Sequence, residues 1–505
     1  MLVDALFSTY IRYRIKRIEV FRDFPIESQL KVLKELLNAG QRTNFGKIHK
    51  FETIESICDY QSLVPLQDYD TLEPFILQAI HGAKDVLWPG YTKWFAKSSG
   101  TTGKRIKTLP VTKDSLENNH YAGGKDLLAC YHLNVPNRKL YSKKHLILGG
   151  SNSLQNIDQH AIVADLSAII IDNLPLWTEF RRVPEKQIVL HADWEKKLDL
   201  MAEASLNEDV AILAGVPSWM TIFCKKVLSK SGKSNLIDVW PNLELYIHGG
   251  MSIAPYKKPL DDMIGVNSMN YVESYNASEG YFGLQDLDSE SGLLLLTDSQ
   301  VYYEFIPMDA YDGINSTTIL PIEQVKPGVE YALVISTSAG LWRYIIGDTL
   351  TFISILPYRF KLTGRTSNYI NAFGEKAVIM HVEQAISSWS NALGIGIENY
   401  TVAPYYAFND GIGGHEWYIE FSSKIEVNDA MKSDLDEWMR KVNSDYDTKR
   451  TKNLNMLPLK ITTAPIGTFK AWMKKNGKFG GQHKIPRVTN DRALLEDLIT
   501  CGNEL

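Results

Sequence analysis

The sequence predicts a mixed α/β protein in two parts. A large N-terminal unit holds sheets, helices and a β-barrel portion, and a small mobile C-terminal α/β unit follows. Three observations predict this. From 140 to 350, short apolar runs (140–150, 209–216, 243–250, 331–337) alternate with helical patterns. Each run ends in Gly or a polar turn, as layered α/β folds with ligand loops at strand ends require. The stretches 293–310 and 331–355 are rich in β-branched and aromatic residues, which marks an antiparallel or barrel-like portion. Gly364, Arg365, Thr366 and Ser367 lie between two β-like pieces, and roughly 140 residues follow them, the size of an independent domain. The expected domains are therefore 1–364 and 365–505.

Residues 1–80 read as helical. Ile11, Ile15, Ile18 and Phe21 recur at helical spacing, and Leu30, Val32, Leu33, Leu36 and Leu37 follow Pro25, a helix start. These apolar stripes are core packing. Pro65 and the polar run Asp68–Asp70 punctuate the segment. Residues 87–112 give a short strand, a Gly/Ser/Thr-rich turn and a second strand, and 113–132 a helix. Beyond the Gly364–Ser367 junction come an amphipathic helix over Val382–Ala392, a strand pair, and a helix over Asn428–Tyr446.

Composition excludes several classes. The 505 residues are 44% hydrophobic and 22% charged, ordinary globular values. Lys and Arg number 54 against 59 Asp and Glu, so the net charge is −5. That balance gives no nucleic-acid footprint, and any anion site must be local. The four cysteines form no CxxC pair, the usage of a reducing cytosol. Asp4, Arg12, Arg14, Lys16 and Arg17 interrupt the apolar N-terminus, so neither a signal peptide nor a membrane span is expected, and the chain reads as a soluble cytoplasmic protein. No G-x-S-x-G occurs, and His415-Glu416 lacks the second His of a zinc-binding HExxH, so a nucleophile-elbow hydrolase and a zinc enzyme are disfavoured. His120 and His132 fit either the wall of a substrate pocket or ordinary core and surface places, and the stretch Ala214–Trp219 fits a pocket cap or core equally.

Four motifs carry chemistry. In Ser98-Ser99-Gly100-Thr101-Thr102-Gly103-Lys104, glycines let successive N–H groups curl round a phosphate, hydroxyls add donors and Lys104 adds charge. The spacing is not that of a P-loop, because two residues rather than four separate Gly100 from Gly103, and Arg105 follows the lysine. Tyr275-Asn276-Ala277-Ser278-Glu279-Gly280 offers an aromatic face for a purine and a carboxylate for Mg²⁺. In Arg343-Tyr344-Ile345-Ile346-Gly347-Asp348, a carboxylate at a strand end suits both hydroxyls of a ribose. Lys470 to Arg487 holds six basic residues and no acid, which suits a solvated face or an anionic ligand.

Read together, the order of these motifs resembles the adenylate-forming superfamily. Their spelling as SSGTT, Y-x-x-SE and R-Y-x-x-GD, at 98–102, 275–279 and 343–348, is similar to the Gretchen Hagen (auxin-responsive promoter) family of acyl acid amido synthetases. Further likeness lies in Thr43–Gly46, Val64-Pro65, Asp68-Tyr69, Gly467–Phe469 and Gln482–Arg487. The resemblance implies an ATP- and Mg²⁺-dependent enzyme that adenylates a carboxylic acid and passes the acyl group to an amine, an amino acid being expected. It implies that Ser98, Ser99, Gly100, Thr101, Thr102 and Lys104 cradle the phosphates and that Tyr275 stacks on or flanks adenine beside Asn276 and Ser278. Glu279 would bind Mg²⁺, Asp348 would hold the ribose with Arg365 close by, and Gly364–Ser367 would be the hinge. The Pro-Lys-Thr-x-x-Gly-Lys motif of CoA ligases is missing, so two lysines, Lys376 and Lys484, remain candidates for the phosphate contact from the C-terminal unit. The expected partners are a small acid and an amine, with no nucleic acid and no membrane, and the chain is expected to act as a monomer. An acyl-CoA ligase, a bare acyl-adenylate former and an inactive nucleotide-binding protein are the open alternatives.

Overall fold

The structure is a computed structural model that describes residues 2–98, 107–135, 140–149, 155–158, 160–174, 176–250, 253–265, 269–366, 369–370, 372–373, 375, 377–406, 413–451, 456–478, 485–490 and 492–505.

The N-terminal segment is helical, as its spacing predicts: Leu2–Asp23, Pro25–Gly40, Asn44–Ile48, Ile57–Leu63 and Tyr69–Ile80. Local chemistry sets the boundaries. Pro25 presets the first turn of its helix. Ser56 with Asp59, and Asp68 with Thr71, form reciprocal caps that satisfy the free N–H groups of the next two starts. These helices pack on a twelve-stranded sheet. Its first half is parallel, with neighbours Arg182–Val183, Lys144–Leu148, Val210–Gly215, Leu245–Gly249 and Asn270–Ala277. The barrel-like portion expected from 293–355 is the antiparallel half of the same sheet: Gly280–Leu284, Leu293–Leu295, Tyr358–Arg365, Tyr344–Ile355, Glu330–Thr337, Val301–Pro307 and Leu320–Pro321. A four-stranded sheet that holds Trp94–Ser98 and Lys107–Val111 stands beside it.

The C-terminal residues have their own three-stranded sheet, Ile397–Tyr406, Gly413–Phe421 and Lys460–Ala464, and their own core around Trp389, Trp417, Leu435 and Met439. The helix expected over Val382–Ala392 spans Ile379–Leu393. The one expected over Asn428–Tyr446 is two helices, Asp429–Val442 and Ser444–Thr451. Asn443 makes the break. Its side chain accepts the Tyr446 N–H and donates to the Glu375 carbonyl, so it serves a cap and a tertiary contact instead of a helical turn.

Two residues of the resembling motifs, Gly46 and Arg343, have structural roles. Gly46 lies so close to the Gly40 carbonyl that a Cβ would sit 2.1 Å from its oxygen. Phe45 and Phe51 pack on Trp342, whose indole N–H donates to the Leu87 carbonyl. Arg343, which opens the R-Y-x-x-GD motif, faces the core. It is 2% exposed, makes two bonds to the Glu304 carboxylate and donates to the Gln61 and Val64 carbonyls. Its φ of 43° is held by an N–H bond to the Ser336 hydroxyl. All four cysteines are free thiols, and Cys58 alone is exposed. Among the described residues no helix is long and apolar enough to cross a membrane.

Candidate active site

Strand pairing builds the site. Tyr275 and Glu279 lie on and just after the strand Asn270–Ala277, at the point where it turns into Gly280–Leu284. Asp348 and Arg365 are register partners on the antiparallel strands Tyr344–Ile355 and Tyr358–Arg365. The Asp348 carboxylate is held from both sides. The Arg365 Nε donates to Oδ1 at 2.8 Å, and the Tyr275 hydroxyl donates to Oδ2. The Tyr275 ring is buried at 5.0 Å from Phe282 and 6.1 Å from Phe360. Gly347, at φ 89°, turns the chain before Asp348, and its carbonyl accepts the Thr366 N–H.

Glu279 is 7% exposed. Burial, and next the charge of Asp348, push its carboxyl up to about 7, with Arg365 acting against the rise. Arg365 is itself raised, first by Asp348. Ser278 is buried beside Glu279, whereas Asn276 is exposed, and its side-chain oxygen meets His120 Nδ1 at 2.9 Å. His120 is 5% exposed, and burial lowers it to about 4, so its ring is neutral at pH 7. Its place in the wall went undistinguished in the sequence because a lone histidine on a helical stretch carries no local signature. His132 lies on the helix Tyr121–Asn134.

Tyr275, Asn276, Ser278, Glu279, Asp348, Arg365 and His120 open on one cavity of about 1890 Å³. It runs from Asp348, Arg365 and Glu279 along the ends of the parallel strands, and residues of the helix Ile379–Leu393 and Ile485–Arg487 close its far side. Ala214 and Trp219, from the stretch weighed as a cap, line it. Ser98 and Lys107 are register partners. They bring together the two ends of segment 99–106, and the expected phosphate-loop residues Ser99, Gly100, Thr101, Thr102 and Lys104 lie outside the described residues, as do Lys376 and Lys484. The basic run is not acid-free in three dimensions, because Lys470 and Lys474 pair with Glu195 and Lys475 with Glu504.

The fold is found in solved structures. It is shared with 2-hydroxyisobutyryl-CoA ligase in its postadenylation state at a TM-score of 0.57 and 12% identity, over 96% of this chain and 94% of that one. It is closer to an acyl acid amido synthetase solved in complex with 2,4-DB, at a TM-score of 0.79 and 17% identity, over 97% and 96% of the two chains. The sequence matches the GH3 family N-terminal domain over 14–269, the GH3 family central domain over 294–365 and the GH3 family C-terminal domain over 377–493. The chain belongs to the GH3 family. Among its relatives are the Arabidopsis thaliana indole-3-acetic acid-amido synthetase GH3.3, 25% identical over 93% of this chain and 90% of that one, and 4-substituted benzoates-glutamate ligase GH3.12 of the same plant, 22% identical over 94% of each.

Proposed function

We propose that this protein is an ATP-dependent acyl acid amido synthetase. It adenylates a carboxylic acid, releasing pyrophosphate, and then passes the acyl group to an amine, an amino acid being the expected acceptor. The observation that carries the reading is the convergence of Tyr275, Asp348, Arg365 and Glu279 on one cavity in a chain of the GH3 family. The relatives named as amido synthetases and as an acid–glutamate ligase support it. Four free cysteines fit a cytoplasmic place, and the chain is taken to work as a monomer.

A carboxylate is a poor acyl donor because oxide is a poor leaving group. One of its oxygens attacks the α-phosphorus of ATP, pyrophosphate departs, and the acid becomes a mixed anhydride with AMP. The amine nitrogen then attacks the carbonyl carbon, the C–N bond forms, the bond to AMP breaks, and the amine gives up its proton. Asp348 accepts the ribose hydroxyls on lone pairs that Arg365 and Tyr275 leave open, and those two side chains fix its orientation. Ser98, Ser99, Gly100, Thr101, Thr102 and Lys104 cradle the phosphates.

Glu279 suits a hard divalent cation, because its carboxylate is buried and resists ionisation for want of positive charge. Mg²⁺ held there would neutralise phosphate charge. The C-terminal unit, 365–505, turns about Gly364–Ser367 and brings Lys376 or Lys484 to the phosphates for the first half-reaction only. ATP–pyrophosphate exchange over a panel of aryl, indole and fatty acids tests the reading. Exchange that depends on an acid is expected, and its absence with every acid contradicts the proposal.

A further inference from the structure

Beyond Glu279 the cavity follows the ends of the parallel strands. Its wall there is apolar, with Ile147, Ala214, Ile247, Ile253 and Trp219, and Trp194 crosses Trp219 at 4.6 Å and 67°. Polar side chains interrupt that surface, among them His145, Ser167, Ser274, His248 and Glu273, and the last two stand side by side. They are register partners on the parallel strands Leu245–Gly249 and Asn270–Ala277, so they leave the same face of the sheet side by side. His248 is 4% exposed, and its Nδ1 is buried with no hydrogen-bond partner. Its ring is tilted against Tyr246 at 5.7 Å, which fixes its position.

The Glu273 carboxylate has no hydrogen-bond partner among the described residues, although its backbone is tied to Gln285 on both sides. Burial lowers His248 to about 4, so its ring is neutral at pH 7. Burial raises Glu273, and Lys361 opposes that rise. Buried polar groups are ordinarily paired, because an unmade bond costs the full desolvation of the group. Here the buried, unpaired His248 Nδ1 stands beside the half-buried Glu273 carboxylate in a cavity wall.

We propose that His248 and Glu273 read a hydroxyl group on the body of the carboxylic acid substrate. A hydroxyl is suited to both partners through one oxygen, donating to one and accepting from the other. Two hydrogen-bonding side chains on a wall of isoleucine and tryptophan select an apolar, ring-bearing acid with one polar substituent away from the reacting carboxylate. An acid without that hydroxyl leaves His248 buried without a partner and takes water from the half-buried Glu273 without replacing it. A site built to hydrogen-bond a substrate hydroxyl rejects the analogue lacking it far more strongly than an apolar pocket rejects a missing methylene. The inference rests on the ligase reading above and adds the class of acid to it.

The test is ATP–pyrophosphate exchange with matched acids: phenylacetic against 4-hydroxyphenylacetic, 3-phenylpropionic against 3-(4-hydroxyphenyl)propionic, and cinnamic against 4-hydroxycinnamic. For the native enzyme, kcat/KM is expected to favour the hydroxylated member of at least one pair by about 10-fold or more. His248→Leu and, separately, Glu273→Gln are expected to lower that ratio by about 10-fold. The ratio is taken within one variant, so a smaller folded fraction lowers both rates alike and leaves it unchanged. Exchange that proceeds without hydroxyl preference in any pair, or a preference that survives in both variants, overturns this inference and leaves the ligase reading standing. Exchange with no acid at all overturns both.

Discussion

Glu279 and Asp348 are two carboxylates in one site, and their surroundings separate them. Asp348 has a guanidinium and a phenol on its oxygens, whereas Glu279 is buried near a like charge. Glu279→Gln is expected to slow pyrophosphate exchange by ~10²-fold, the scale of losing one charge-stabilising group. Its effect on ligand-free stability has a definite sign. The folded carboxyl titrates at about 7, above its ordinary 4.5. The folded state therefore holds the proton more tightly than the unfolded one. This stabilisation is complete below about pH 4.5 and is lost as pH rises through about 7, to a total of roughly 3 kcal/mol. Denaturant titrations of native and Glu279→Gln proteins between pH 4.5 and 8 should diverge in that direction, and parallel curves would contradict the burial assigned to this residue. Asp348→Asn should raise the KM for ATP strongly, since charge-assisted bonds contribute about 1.5–3 kcal/mol each, and the native enzyme should discriminate against 2′-deoxy-ATP. Equal use of the two nucleotides would contradict ribose recognition.

Among the elements, the strands and the early helices were legible because turn chemistry and periodicity agree there, as at Pro25, which opens the helix Pro25–Gly40. The break at Asn443 was not legible, because its cause is the distant Glu375 carbonyl. The role of Arg343 was hidden for the same reason. Its positive φ turns it into the core toward Glu304, which is distant in sequence. Arg343→Ala should destabilise the protein by about 3–5 kcal/mol, because it leaves a buried carboxylate unpaired. Urea unfolding measures that loss. Activity per folded molecule is expected to stay within a few-fold of native, and a stable variant without activity would place Arg343 in the chemistry instead.

At the scale of the molecule, the motif order made the two-part α/β architecture legible, but it did not reveal what sits between the parts. The contacts there include exposed ion pairs and a hydrogen bond. Lys470 and Lys474 meet Glu195, Lys225 meets Glu398, and Arg487 donates to the Tyr256 hydroxyl. Exposed ion pairs are weak and screened by salt, as the proposed opening of this interface requires. Glu195→Lys should therefore enlarge the radius of gyration in small-angle scattering, and 1 M salt should do the same to the native chain. Invariance under both would contradict a movable C-terminal unit. If that unit delivers a lysine to the phosphates, Lys376→Ala or Lys484→Ala should impair acyl-AMP formation while amide formation from supplied acyl-AMP continues. Equal loss of both half-reactions would contradict the alternation. The most direct measurement of the whole reading is chromatography of the nucleotide products with an exchange-competent acid. The expected result is AMP that accumulates only when acid and amino acid are both present, in step with the amide. AMP that requires CoA instead, or no turnover of ATP with any acid, would contradict it.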